Sequence, residues 1–182
     1  MSDPAERVKG ALLTSLPRLR AFTRALAGST PEGDDLLQAT CERALERAHQ
    51  AGATGTMQGW IFRIAYHLHL DRLRAGRRRG ETADPVDPDT LPGGDAEAEV
   101  EATLMLASVQ RAIDRLPEEQ RSVLLLVSAG GLSHAAAAEA LEVPVGTVMS
   151  RLHRGRQALH HLLSRRLVGA TAVAAPRGWR RP

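Results

Sequence analysis

The sequence predicts an all-α protein of two small helical domains joined by a flexible acidic linker, the second domain being a helix-turn-helix. Three observations predict it. Apolar residues recur at helical spacing along most of the chain. Hydrophobic residues make up 43% of the 182 residues but aromatics only 3%, a balance that suits aliphatic helix packing better than a sheet. One stretch breaks the periodicity: residues 81–101 hold eight acids (Glu81, Asp84, Asp87, Asp89, Asp95, Glu97, Glu99 and Glu101) and no Lys or Arg.

Val8, Leu12, Leu16, Leu19, Phe22 and Leu26 mark a first helix, in which Pro17 is expected to kink or split the run. Gly28-Ser29-Thr30-Pro31 reads as a stop and a restart, with Thr30 as N-cap and Pro31 at the first helical position. Leu36, Leu37, Thr40, Cys41, Ala44, Leu45 and Ala48 form the apolar side of a second helix whose other side is polar. His49 to Gly59 reads as a loop. Trp60, Ile61, Ile64, Ala65, Leu68 and Leu73 are the stripe of a third helix ending in Arg72, Arg74, Arg77, Arg78 and Arg79. Trp60 is expected in the core. The lone Cys41 is expected to be structural and reduced.

Pro85, Pro88, Pro92 and Gly93-Gly94, together with the acids, make residues 80–97 a linker by composition. The second domain is expected over 98–167, followed by a basic tail at 168–182. Leu104, Ala107, Ile113 and Leu116 give its first helix. Pro117 opens the next, with Glu118 and Glu119 at its positive end. Gly130-Gly131 ends that helix, and Ser133 caps a short one over His134–Leu141. Pro144 marks a turn, and Thr147 is expected to cap a long helix reaching about Leu167.

A short helix, a tight turn and a longer helix have helix-turn-helix proportions. Val148, Leu152, Leu159 and Leu162 form the inward stripe of the last helix; Ser150, Arg151, His153, Arg154, Arg156, His160 and His161 lie on the other side. No acid occurs from Val145 through Leu167. A helix lying in a major groove needs this division. Outside the acidic stretch the chain is strongly basic, with 24 Lys and Arg of which only Lys9 is lysine, and this suits a polyanionic partner. No nucleophile–base pair, phosphate loop or metal cluster appears, so the chain reads as no enzyme and as needing no cofactor or metal. No apolar run reaches the length of a membrane span and no signal peptide is evident, so a cytoplasmic location is expected.

Ala112-Ile113-Asp114-Arg115-Leu116-Pro117-Glu118-Glu119-Gln120-Arg121, then Gly131-Leu132-Ser133, then Val143 through Arg156 with its Gly146-Thr147-Val148-Met149-Ser150-Arg151 core, resemble region four of extracytoplasmic-function sigma factors. In the first domain, Asp34 through Thr40 resembles the region-two helix that grips core polymerase. Trp60 through Ala65 and Asp71 through Arg74 resemble the helix that melts promoter DNA. Gly55-Thr56 followed by Trp60 is similar to the general-stress subgroup. The chain departs from the family's usual residues at Tyr66-His67, Cys41, Ala136 and Met149.

The resemblance implies a sigma factor that binds core RNA polymerase, through the clamp of the largest subunit and the flap region, and directs promoter recognition, melting and initiation. It implies a region-two domain over 1–79 and a region-four domain over 98–167. Contacts to the −35 element are implied for His134, Thr147, Met149, Ser150, Arg151, His153, Arg154 and Arg156. Contacts to the −10 element are implied for Arg63, His67, Asp71, Arg72, Arg74, Arg77 and Arg78, with the His49–Gly59 loop forming a pocket for an unstacked base. Asp35, Leu37, Gln38 and Glu42 are the implied core-polymerase face, and an anti-sigma factor is an implied partner. Two other readings stand beside this one: a sigma mimic that occupies a sigma regulator, and a helix-turn-helix regulator acting without polymerase.

Overall fold

In the computed structural model, residues 3–51, 55–79 and 96–173 are described, leaving aside the side chains of 96–104 and 165–173. The expected 80–97 linker lies almost wholly outside them, as does the chain after Val173.

Helix α1 (Pro4–Ala27) starts where the Asp3 carboxylate accepts a hydrogen bond from the Ala5 N–H at 3.1 Å, and it stops at Gly28 with φ 81°. It runs unbroken through Pro17 rather than splitting there. Helix α2 (Thr30–Glu46) is capped by Ser29, whose Oγ accepts from the Glu32 N–H at 3.3 Å. The cap therefore falls one residue before the expected Thr30. A 3-10 turn (Ala48–Gln50) follows, and helix α3 (Met57–Arg79) begins inside the expected His49–Gly59 loop. Thr56 explains the early start. Its hydroxyl accepts from the Gly59 N–H at 3.0 Å, so Thr56 caps the helix and Gly59 lies within it.

The second group comprises α4 (Ala96–Asp114), α5 (Glu118–Ser128), α6 (His134–Leu141) and α7 (Val145–Val173). The Ser133 cap on α6 is as expected, with Oγ accepting from the Ala136 N–H at 3.1 Å. Thr147 is not a cap. Helix α7 already starts at Val145, where the Thr147 and Val148 N–H groups both reach the Pro144 carbonyl. It also runs past Leu167 to Val173.

The two groups share one core. Leu19 and Phe22 of α1, Leu36 of α2, Ile61 and Phe62 of α3, Val123 and Leu126 of α5, Ala137 and Ala140 of α6, and Val148 and Leu152 of α7 belong to a single buried cluster. Phe62 is its pivot. Its ring meets Phe22 at 5.3 Å, tilted by 51°. Its far edge lies against Gly130, where an added Cβ would stand 2.7 Å from the ring. Only a glycine lets the end of α5 approach α3 this closely. Helix α3 thus packs on α6, and α1 on α5, across the boundary between the groups. Trp60, 6% exposed, is a core residue, as expected.

Candidate nucleic-acid interface

Helix α7 sorts its residues by period. Val148, Leu152, Gly155, Leu159 and Leu162 recur at spacings of three and four and face inward. A Cβ on Gly155 would lie 3.3 Å from the Gln120 carbonyl, so α7 crosses the start of α5 at that point. The opposite side is exposed at Met149, Ser150, His153, Arg154, Arg156, Gln157, His160 and His161. Of these, His153, Arg156, Gln157, His160 and His161 line one open depression. His134, at the start of α6, is also exposed, while Thr147 is half-buried. Arg154 donates to the Ser150 carbonyl at 3.3 Å, along its own helix.

Arg151 differs from its neighbours. Its guanidinium pairs with Glu119 of α5 at 2.9 Å, and its side chain is only 20% exposed. It ties the last helix to α5 instead of standing free on the basic face.

The α3 candidates separate into two directions. Arg63, His67 and Asp71 lie at spacings of four and line one cleft of about 280 Å³. Arg43 and Arg47 at the end of α2 complete its basic wall, and Glu142 of the helix-turn-helix closes it. Sequence reasoning missed Arg43 and Arg47, which at the end of α2 read as one helix's polar side. Arg72 points the other way. It donates to the Glu32 and Asp35 carbonyls at 3.3 and 3.2 Å and fastens α3 to α2. Arg74 pairs with Asp71 at 3.0 Å. Arg77 and Arg78 are exposed in the last turn of α3.

On α2, Asp35, Gln38 and Glu42 are exposed along one side, and Gln38 donates to Glu42 at 3.0 Å. Leu37 is partly buried against the core, and Leu36 is wholly so. The neighbouring Asp34 faces inward between Arg20 and Arg24, whose guanidinium groups donate to it in bidentate fashion at 2.7 to 3.3 Å. Those hydrogen bonds, Arg24 first, hold its carboxyl well below the usual carboxylate range. Asp34 therefore organises the α1–α2 corner and leaves the outer face to Asp35. Cys41 is half-buried, and burial pushes its thiol pKa up, which disfavours the reactive thiolate.

Two polar features sit where the groups meet. His69 of α3 is 6% exposed, and burial lowers its pKa to about 4 against opposing and reinforcing effects of Glu118, Arg121 and Arg72. Glu142 caps α6 in the left-handed region, with φ 56°, the only positive φ at a non-glycine among the described residues. Glycine or asparagine is usual at such a cap, and another side chain there costs about 1–2 kcal/mol.

Among the described residues, no helix is long and apolar enough to cross a membrane. Residues 106–159 match the family model of sigma-70 region 4, and residues 12–66 match that of the sigma2 domain of PhyR. The chain is 37% identical over 155 residues to the ECF RNA polymerase sigma factor EcfG of Rhodopseudomonas palustris, covering 84% of this chain and 82% of that protein. It is 37% identical over 142 residues to the ECF sigma factor SigE of Mycolicibacterium smegmatis, covering 77% of this chain and 55% of that protein. Among solved structures it resembles the sigma factor RpoE in complex with the anti-sigma factor NepR from Bartonella quintana. That match has a TM-score of 0.69 at 28% identity and covers 86% of this chain and 96% of the other.

Proposed function

This chain belongs to the extracytoplasmic-function family of RNA polymerase sigma factors, and from that premise we propose how its faces divide the work. It is a non-enzymatic initiation factor that binds core RNA polymerase and directs promoter-specific transcription. The observation that carries the proposal is the exposed face of α7, basic and without an acid from Val145 through Leu167.

Helix α7 enters the major groove of the −35 element with its N-terminal half. Met149, Ser150 and His153 lie toward base edges, while Arg154 and Arg156 take phosphates or purine edges, and His134 of α6 meets the flanking backbone. Arg151 acts mainly by fixing α7 on α5. The cleft of α3 takes the −10 strand through Arg63 and His67, with Arg43 and Arg47 as further phosphate partners and Arg77 and Arg78 extending the basic path. Arg72 supports that cleft by holding α3 on α2. Asp35, Gln38 and Glu42 meet core polymerase, with Leu37 at the margin of that contact. An anti-sigma factor is the natural regulatory partner; the structural relative RpoE is seen with one. Function in initiation places the chain in the cytoplasm.

The test is run-off transcription with purified core polymerase over a genomic promoter library. A folded protein that yields defined products with core, and none without it, supports the reading. Absence of any product overturns it. Promoter binding that needs no core favours a stand-alone regulator instead.

A further inference from the structure

The start of α7 exposes two apolar side chains on an outer side that is otherwise polar and basic. Val145 is 43% exposed and Met149 is 55% exposed, and neither belongs to the buried cluster. They are four residues apart, so they share one face of the first turns of the helix. Their neighbours are bare or polar. A Cβ on Gly146 would meet nothing within 4 Å, so the backbone beside Val145 is open. The Ser150 hydroxyl donates to the Thr147 carbonyl at 3.0 Å, which engages its one donor within the helix. Arg154 reaches back to the Ser150 carbonyl at 3.3 Å. Among these polar groups Met149 brings no hydrogen-bond donor and only a weak acceptor.

We propose that Met149 is a specificity-determining residue that reads the C5-methyl group of a thymine in the −35 element. The proposal rests on the assignment of α7 to the −35 major groove made above. Depth places Met149 at the bases. A major groove about 8.5 Å deep takes about six residues of a helix that rises about 1.5 Å per residue. Entering by its N-terminal end, α7 brings Val145 through Ser150 to base level and leaves His160 and His161 outside. Each Cα–Cβ bond tilts toward the helix N-terminus, so the Met149 side chain sets off into the groove and not out of it. Chemistry then selects the base. The purines and cytosine present hydrogen-bonding groups to the major groove, and thymine alone adds an apolar one. A flexible, polarisable thioether settles on that methyl group. Over a cytosine it would strip water from an amino donor and give it no partner. Charge keeps the contact in place. With no acid from Val145 through Leu167, nothing on this helix repels the phosphates on either side of the methyl group.

The experiment uses the full chain with core RNA polymerase and the strongest promoter from the run-off library. Each thymine of the upstream element, on either strand, is replaced in turn by deoxyuridine, which deletes the methyl group and nothing else. Wild type, Met149→Ala, Met149→Lys and Arg154→Ala are compared for promoter binding and run-off. Wild type should bind roughly fourfold more weakly when one particular thymine is replaced, the contribution of one methyl group returned to water. Met149→Ala should bind the thymine promoter about as weakly as wild type binds that deoxyuridine promoter, and should no longer distinguish the two. Met149→Lys should also ignore the methyl group, and should raise the salt slope of binding by about one through a new phosphate contact. Arg154→Ala should bind less tightly overall and keep the thymine-to-deoxyuridine ratio. Both Met149 variants should melt at the wild-type temperature, since the side chain stands in solvent, so their loss is one of reading and not of folding. An upstream element without an A·T pair overturns the proposal. So does a wild type that ignores deoxyuridine at every position, or a Met149→Ala variant that keeps the full ratio. In each of these cases promoter-specific run-off by wild type leaves the sigma reading standing. Absence of any promoter-specific product overturns that reading and the proposal with it.

Discussion

The outer face of α7 and the cleft of α3 are both basic stripes on long helices, yet the molecule treats them in opposite ways. On the outer face of α7, Met149, Ser150, His153, Arg154, Arg156, Gln157, His160 and His161 stand in solvent, and among the described side chains of that helix only Arg151 is drawn to an acid. Along α3, Arg63 and His67 face Glu142, Arg74 pairs with Asp71, and Arg72 is bound to α2. The contrast shows that basic composition and available positive charge are separate properties. A guanidinium on a carboxylate must exchange that partner before it takes a phosphate, whereas one in water exchanges only hydration and counterions.

The sharpest way to break the comparison is to remove the core under the covered cleft. Phe62→Ala deletes a wholly buried ring between Phe22 and Gly130 and should cost about 3–5 kcal/mol. Because the two halves share that core, chemical denaturation should shift both together. A C-terminal half that unfolds at its wild-type midpoint would show that the halves are independent.

Acid should act next most strongly, and on the covered side. Burial holds His69 at about 4, below the ordinary histidine value. The unfolded chain therefore binds the proton first, and stability is full above about pH 6.5 and falls as pH drops from there toward 4. The loss is on the order of 3 kcal/mol at its limit. His69→Leu should flatten this part of the pH–stability profile; an unchanged profile would assign the acid sensitivity to other groups.

On the open side, Arg154→Ala and Arg156→Ala should each lower the salt slope of promoter binding by about one if the residue meets phosphate. If it reads a base, about 1–3 kcal/mol of discrimination at one position should be lost. Arg151→Ala should change the slope less than either, since Glu119 already holds that side chain. An equal or larger change for Arg151 in a salt titration would place it on DNA after all.

The smallest effect concerns α6, which supplies the cover. Ser133→Ala removes its N-cap and should cost about 1 kcal/mol in thermal unfolding.

Much of this was legible in residue order, because short-range physics writes itself at short range. Apolar spacing located the helices, and Ser133 and Gly28 marked ends that the structure keeps. The bare basic face of α7 followed from the absence of acids in one continuous segment. Boundaries that depend on competition between neighbours were less legible. Ser29 takes the cap from Thr30, and Thr56 starts α3 before Trp60. In the first case two adjacent hydroxyls offer the same hydrogen bond and the earlier one takes it; in the second, one threonine caps a helix across a glycine that reads as loop.

By itself, then, the sequence determined that this chain is helical, where its helices lie, which of them is basic on one side, and which family it resembles. Tertiary structure alone decided which charges are free. Arg63 meets Glu142 from 79 residues away, and the Thr56 N–H donates to the Glu139 carboxylate from 83 residues away. Arg72 turns to α2 and Arg63 to α6 although they sit on one helix with the same side-chain chemistry. The reason is that periodicity is set by residues three and four positions away, while a salt bridge, a buried histidine or a covered cleft is set by whichever surface the fold brings against it.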